Sequence, residues 1–196
     1  MDGFKVVGMI GSPRKAMNTD TYVTKVLEGA QSSGAEIEKI YLNDLEIMPC
    51  QACCDFPAPD YCFYRDGMDK IYDILETADA IVIGTPAYFG TLSAQLKLLI
   101  DRSNCLAEIS TLPSGKLIFI SRLKKRKKGI FIWVSNISKN PEHALVSIKI
   151  WCQYFANIEL VDTLVITNSD LGEGARKRVE LLDKAFKLGV SLFHEI

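Results

Sequence analysis

Two short apolar runs constrain this chain more than any other feature. Phe4-Lys5-Val6-Val7-Gly8-Met9-Ile10 and Asp79-Ala80-Ile81-Val82-Ile83-Gly84 lack the in–out alternation of a half-exposed strand, and each gives way to a glycine-bearing polar loop. A strand without alternation is covered on both faces, the situation of a parallel strand between helical layers. Helical patterns follow both runs. Tyr22, Val23, Val26, Leu27 and Ala30 step at helical spacing beyond Asn18, a candidate cap, and Leu92, Leu96, Leu99 and Ile100 do so after the second run.

The pattern continues along the chain. Residues 35–42 read as a strand nearer a sheet edge, 68–77 as a short helix, and 116–120, 129–134 and 160–166 as further strands. Asn140-Pro141 starts a helix whose stripe is Ala144, Leu145, Ile148, Trp151, Cys152 and Phe155. Ala175, Val179, Leu182, Phe186, Gly189 and Phe193 mark the last helix. Strands alternating with helices imply parallel pairing through right-handed crossovers. The expected fold is therefore a single α/β domain over residues 1–196, a three-layer α/β/α sandwich. Its five-stranded parallel sheet has the flavodoxin-like order 2-1-3-4-5, with a cysteine-rich loop at 49–66. In such a sheet the ligand sits beyond the carboxyl ends of the strands.

Composition narrows the function classes. A hydrophobic fraction of 48% over 196 residues excludes disorder, and a formal charge of −1 argues against nucleic-acid or anionic-membrane binding. No apolar stretch approaches a membrane span, and the N-terminus does not read as a signal peptide, so a cytoplasmic location is expected.

Two strand ends carry candidate chemistry. Residues 11–19, Gly-Ser-Pro-Arg-Lys-Ala-Met-Asn-Thr, form neither a Walker loop nor a dinucleotide fingerprint. They place the hydroxyls of Ser12 and Thr19, the amide of Asn18 and the cation of Arg14 before a helix N-terminus. Free N–H groups and the positive dipole end there favour a phosphate, although an ordinary polar cap has the same look. Pro86, Ala87, Tyr88, Phe89 and Gly90 leave the second buried run with a flat apolar wall and backbone amides. A planar heteroaromatic ring wants that combination; a turn that merely caps the sheet is the alternative.

Gly-Ser-Pro-Arg-x-x-x-Asn-Thr at 11–19, Thr-Pro-x-Tyr-x-Gly at 85–90 and Leu-Lys-x-x-x-Asp-Arg at 96–102 together resemble the NADPH-dependent FMN reductase-like group of flavodoxin-like proteins. Pro49-Cys50-x-x-Cys53 ahead of Asp66-x-Met68 is similar to the iron–sulfur flavoprotein branch of that group. The resemblance implies FMN, its phosphate on Ser12, Arg14, Asn18 and Thr19 and its ring against Pro86, Ala87, Tyr88, Phe89 and Gly90. Many relatives have a glycine-rich loop after the fourth core strand, where this chain has Ser135-Asn136-Ile137-Ser138-Lys139-Asn140.

The cysteine segment departs from the branch in register. The motif is Cys-x-x-Cys-x-x-Cys with a fourth cysteine later; Cys50, Cys53 and Cys62 fill three places, Phe56 stands at the third, and Cys54 is extra. The resemblance implies a [4Fe–4S] cluster on Cys50, Cys53, Cys54 and Cys62, with zinc or free thiols as alternatives. Cys105 and Cys152 read as buried core cysteines on helices away from the segment. The basic run 122–128 reads as a solvated turn, with docking of an acidic partner or a nicotinamide 2′-phosphate as the alternative, and His143 and His194 as surface residues.

The function expected is an FMN-binding oxidoreductase or electron-transfer flavoprotein of the iron–sulfur type. Its donor would be NAD(P)H or a redox partner. The competing readings are an NAD(P)H-dependent FMN or quinone reductase without a cluster, and a flavodoxin-fold binding protein with a degraded flavin site. Flavin redox chemistry needs no acid–base side chain, so none is assigned as catalytic. A homodimer or homotetramer is expected, with Tyr61, Phe63 and Tyr64 of the cysteine segment near the interface.

Overall fold

The computed structural model describes residues 3–53, 60–137, 139–167 and 174–194. In chain order the elements are β1 (Lys5–Ile10), α1 (Asn18–Ser32), β2 (Glu36–Tyr41), α2 (Met68–Thr77), β3 (Ala80–Pro86), α3 (Ala94–Arg102), β4 (Ala107–Thr111), β5 (Leu117–Ser121), β6 (Lys127–Val134), α4 (Glu142–Ile150), β7 (Ile158–Ile166) and α5 (Val179–His194). Five strands make one parallel sheet in the order β2-β1-β3-β6-β7. This is the expected flavodoxin-like order once β4 and β5 are set aside.

Both faces of the sheet are covered, which is why its central strands carry no alternation. Val6, Ile10, Val82, Ile130 and Ile132 pack with Tyr22, Val23, Val26 and Leu27 of α1 and with Ala185 and Leu192 of α5. Val7, Met9, Ile81, Ile83, Phe131 and Trp133 face the other way, onto α2, α3 and α4. Gly84 lets α1 approach the end of β3, since a Cβ there would stand 2.4 Å from Val23 Cγ2. No helix among the described residues is long and apolar enough to cross a membrane.

Two sequence expectations need correction. The apolar run at 116–120 is not a strand of the sheet. It becomes β5, which pairs antiparallel with β4 in a separate hairpin. Leu117, Phe119 and Ile120 of this run are exposed, so its continuous hydrophobicity does not signal burial on two faces. The basic run is a solvated turn only in part: Lys124, Lys125 and Arg126 are exposed between β5 and β6, whereas Lys127 and Lys128 belong to β6. Arg122 donates to the Cys105 and Asp60 carbonyls, Lys125 pairs with Asp79, and Arg126 pairs with Glu159. Lys127 is buried, its Nζ donating to the Lys125 carbonyl at 2.6 Å, and Lys128 reaches the Leu192 carbonyl.

Smaller differences bear on the site. Asn18 begins α1 rather than capping it, and its Oδ1 accepts the Ala175 N–H at 3.0 Å. Trp151–Phe155, expected to prolong α4, winds instead as a π-helical segment, and the Ser121 hydroxyl donates to the Phe155 carbonyl. His143 is exposed; the side chain of His194 lies outside the described residues.

Candidate functional site

The loop after β1 and the loop after β3 meet at the carboxyl end of the sheet. All nine residues singled out in them, namely Ser12, Arg14, Asn18 and Thr19 together with Pro86, Ala87, Tyr88, Phe89 and Gly90, line one cavity of about 460 Å³. Adjacent strands pairing in parallel bring the loops together, because β1 and β3 are neighbours. The Gly11 N–H donates to the Gly84 carbonyl at 2.8 Å and locks the two exits to each other.

The first loop offers donors at the start of α1. Ser12, Asn18 and Thr19 are buried, whereas Arg14 is exposed and its guanidinium has no partner among the described residues. The Ser12 hydroxyl accepts the Arg14 N–H at 3.2 Å and makes only a 3.4 Å contact to the Arg14 carbonyl. That weak bond can be exchanged for an anionic oxygen. Asp20 is the one acid in the first turn. Its carboxylate accepts the Ala16 N–H, the Tyr41 hydroxyl and Lys39 Nζ. Burial alone would raise the Asp20 pKa, but these bonds outweigh it and hold the group below the usual range. The acid is thus ionised and compensated, which leaves the helix end electropositive toward the cavity.

The second loop is held open by its own bonds. Thr85 Oγ1 accepts the Ser93 N–H, and the Ala87 N–H donates to the Val134 carbonyl at 2.7 Å. Phe89 and Gly90 turn through positive φ of 50° and 76°, and Tyr88 and Thr91 bridge across the turn. Tyr88 and Phe89 are exposed at the rim, while Pro86 and Ala87 are half-buried.

A third wall comes from the loop that stands where many relatives have a glycine-rich one, to which sequence reasoning assigned no site residue. Val134 at the end of β6 and Ser135, Asn136 and Ile137 beyond it line the same cavity, as does Met17. The loop lacks the glycine-rich signature, but its place after the fourth core strand and the strand order both point to it: β6 is the other neighbour of β3. Ser138 lies outside the described residues.

A second cavity, of about 170 Å³, shares no lining residue with the first. Cys50, Cys53, Cys62 and Cys105 line it, together with Tyr64, Arg102, Ile109, Phe119 and Phe155. Cys54 lies outside the described residues. Cys105 therefore does not sit away from the segment: the turn after α3 carries it to the same cavity, whereas Cys152 is buried in the core as expected. Among the described residues no three His, Cys, Asp or Glu side chains are close enough to grip a single metal ion.

Arg102 organises this region. Its Nη1 donates to the Met48 carbonyl and to Asp66, and its Nη2 reaches Cys62 Sγ at 3.5 Å. Its buried Nε has no partner among the described residues. Burial would raise the Asp66 pKa, but Arg102 and the N–H groups of Met48 and Met68 pull it below the usual carboxylate range. Tyr61 and Tyr64 do not form an exposed apolar surface. Tyr61 packs 5.3 Å from the Tyr72 ring and donates to Glu76, its pKa pushed up to about 12 by burial and that carboxylate. Arg102 lies over the ring of Tyr64. Phe63 alone of the three is exposed.

The chain is 39% identical over 99 residues to an iron–sulfur flavoprotein of Methanosarcina thermophila, covering 50% of this chain and 52% of that protein. It is 42% identical over 102 residues to an iron–sulfur flavoprotein of Methanocaldococcus jannaschii, covering 52% and 53%. The chain thus spans about half the length of the curated relatives it matches. The fold is similar to that of an FMN-dependent NADH-azoreductase from Bacillus anthracis solved with FMN, at TM-score 0.67 and 12% identity over 97% of this chain and 100% of that one. Residues 4–129, from the start of β1 into β6, match a single family along their whole length, and the chain belongs to that family, the NADPH-dependent FMN reductases.

Proposed function

We propose that this chain binds FMN in the larger cavity and works as an FMN-dependent oxidoreductase, an electron-transfer flavoprotein of the iron–sulfur type. The observation that carries the reading is the convergence of the two loops on one cavity, with phosphate donors on one side and an apolar wall on the other. That donor set fits the cofactor: the N-terminus of α1, the hydroxyls of Ser12 and Thr19 and the Arg14 cation suit one terminal phosphate. Pro86, Ala87 and Tyr88 offer flat apolar surface to a ring, and the backbone of the loop offers polar groups to its edge. When bound, FMN supplies the redox chemistry; the protein holds and orients it and sets its electrostatic surroundings. NAD(P)H or a reduced carrier protein is the proposed donor.

The expected result is that Ser12→Ala combined with Arg14→Ala weakens FMN binding by roughly 2–4 kcal/mol, on the order of 30- to 1,000-fold in Kd. Titration of the apoprotein by quenching of flavin fluorescence measures it. Unchanged affinity would remove the loop from the site.

The smaller cavity is the proposed seat of an iron–sulfur cluster. The names of the relatives support this, and so do the residues present, with three thiols of the segment lining the space beside a buried arginine. A cluster needs thiolates spread around a body rather than aimed at one point, which suits thiols that line a cavity without converging. Four cysteines crowded at 50–62 and such a cluster suit a reducing compartment, which favours the cytoplasm.

The proposed homodimer or homotetramer forms through the β4–β5 hairpin, where Ile109, Leu117 and Phe119 are exposed on one face. Light scattering of the FMN-loaded protein at micromolar concentration should give at least twice 21.9 kDa. A monomer would contradict the assignment of this face.

A further inference from the structure

We propose that Cys105, the turn residue beyond α3, supplies the thiolate that the cysteine segment lacks at its third motif position. The inference rests on the cluster reading above. Phe56 stands where the motif has cysteine, and the extra Cys54 is adjacent to Cys53, so the two side chains meet one body only if the backbone bends between them.

Cys105 has the placement that Phe56 forfeits. It lines the cavity with Cys50, Cys53 and Cys62, although it stands 43 positions after Cys62 in sequence. Two arginines fasten it to the segment. Arg102, three residues before it, bonds to the Met48 carbonyl, to Asp66 and to Cys62 Sγ, and so ties down both flanks of the segment. Arg122 donates from Nη1 to the Cys105 carbonyl at 2.9 Å and from Nη2 to the Asp60 carbonyl at 3.3 Å, which joins the turn to the residue two before Cys62. The Cys105 thiol is held by the Tyr72 hydroxyl at 3.1 Å and the Arg102 carbonyl at 3.2 Å. Such a sulfur is positioned before any ligand arrives, which lowers the ordering cost of binding. The surroundings suit an anionic body: Arg102 brings a positive charge, an N–H already directed at a cysteine sulfur, and a buried Nε without a partner among the described residues. Hydrogen bonds to the sulfurs are one of the means by which a protein stabilises such clusters.

Ligation exchanges each S–H bond for an S–Fe bond and releases one proton per thiol. Sulfur keeps its oxidation state, the iron and sulfide come from an external donor, and Cys105 gives up its bond to the Arg102 carbonyl.

The test uses FMN-loaded chain reconstituted anaerobically with sulfide and equal parts of ferrous and ferric iron, which supplies the mixed-valence irons of a cubane without an oxidant, read by iron per chain and by the electron paramagnetic resonance spectrum after reduction. Wild type should hold about four irons, the content of a cubane. Cys105→Ser and Cys105→Ala should each lose most of the iron, or keep a smaller cluster with a changed spectrum. Cys54→Ser and Cys152→Ser should match wild type. FMN content reports folding in every variant. Phe56→Cys, added to Cys105→Ser, should restore the iron, which a structural role for Cys105 would not allow. Full iron and an unchanged spectrum in the Cys105 variants overturn the proposal and leave the cluster reading standing. Loss of FMN together with iron, without rescue by Phe56→Cys, also overturns it. Wild type that takes up no iron removes the cluster reading and this inference with it.

Discussion

Replacing Arg102 by methionine should destabilise the protein by about 3–5 kcal/mol, the range found when one partner is removed from a buried ion pair. The Arg102 side chain is only 1% exposed, and its loss would strand the Asp66 carboxylate and the Met48 carbonyl together. For a chain of this length that is a fall in Tm of roughly 6–20 °C. Asp66→Asn added to Arg102→Met should recover a large part of the loss, because the uncompensated charge disappears. The pH dependence separates this account from simple cavity formation. Asp66 has a depressed pKa in the folded protein, so its contribution is present above the unfolded carboxylate value and is lost as pH falls through the folded one. Wild type should therefore lose stability on acidification in that window, and Arg102→Met should lose less. Denaturant midpoints measured from neutral pH downward check both statements. Parallel pH profiles would mean that packing, not charge, makes the side chain indispensable.

Arg102 also shows where sequence reading stops. The order of the five main strands is legible because burial on two faces leaves a signature in β1, β3 and β6, and alternation with helices makes the strands pair in parallel. The same signature misleads at β5, an apolar run that is exposed, and its partner Ala-Glu-Ile-Ser-Thr has no run to announce it. Nine residues of the larger cavity are legible because the loops after adjacent parallel strands must meet. The wall from Val134 to Ile137 is legible only as a position, since the loop lacks the glycines that many relatives have there. Cys105 is hidden for another reason. Its approach to Cys62 depends on side-chain bonds from Arg102 and Arg122 to backbone carbonyls, and a long-range bond of that kind has no periodicity or spacing to betray it.

The other large effect lies where α1 crosses α5. A Cβ on Gly189 would stand 1.9 Å from the Val26 carbonyl oxygen, and one on Gly29 would stand 2.0 Å from the Phe186 carbonyl oxygen. Helix propensity alone predicts that alanine at either position stabilises by about 1 kcal/mol. Contact predicts the reverse sign. The obstructing atoms are backbone, so no rotamer change clears them, and the helices must separate along their whole interface. Overpacking typically costs 1–3 kcal/mol where side chains can yield, so roughly 3 kcal/mol or more is expected for each single alanine here. The periodicity that marks Gly189 as part of an apolar stripe thus has the position right and the reason wrong: it faces inward because nothing larger fits. The two substitutions should not add. Once one alanine has pushed the helices apart, the second meets a gap already opened, and the double variant should lose clearly less than the sum of the singles. The disturbance should also reach the larger cavity, because Asn18 at the start of α1 accepts the Ala175 N–H just ahead of α5. Equilibrium unfolding of the two singles and the double checks the sign, the size and the coupling. Stabilisation in either single variant would mean that the helices can slide apart freely, and that their close approach is not what holds the entrance of α1 in place.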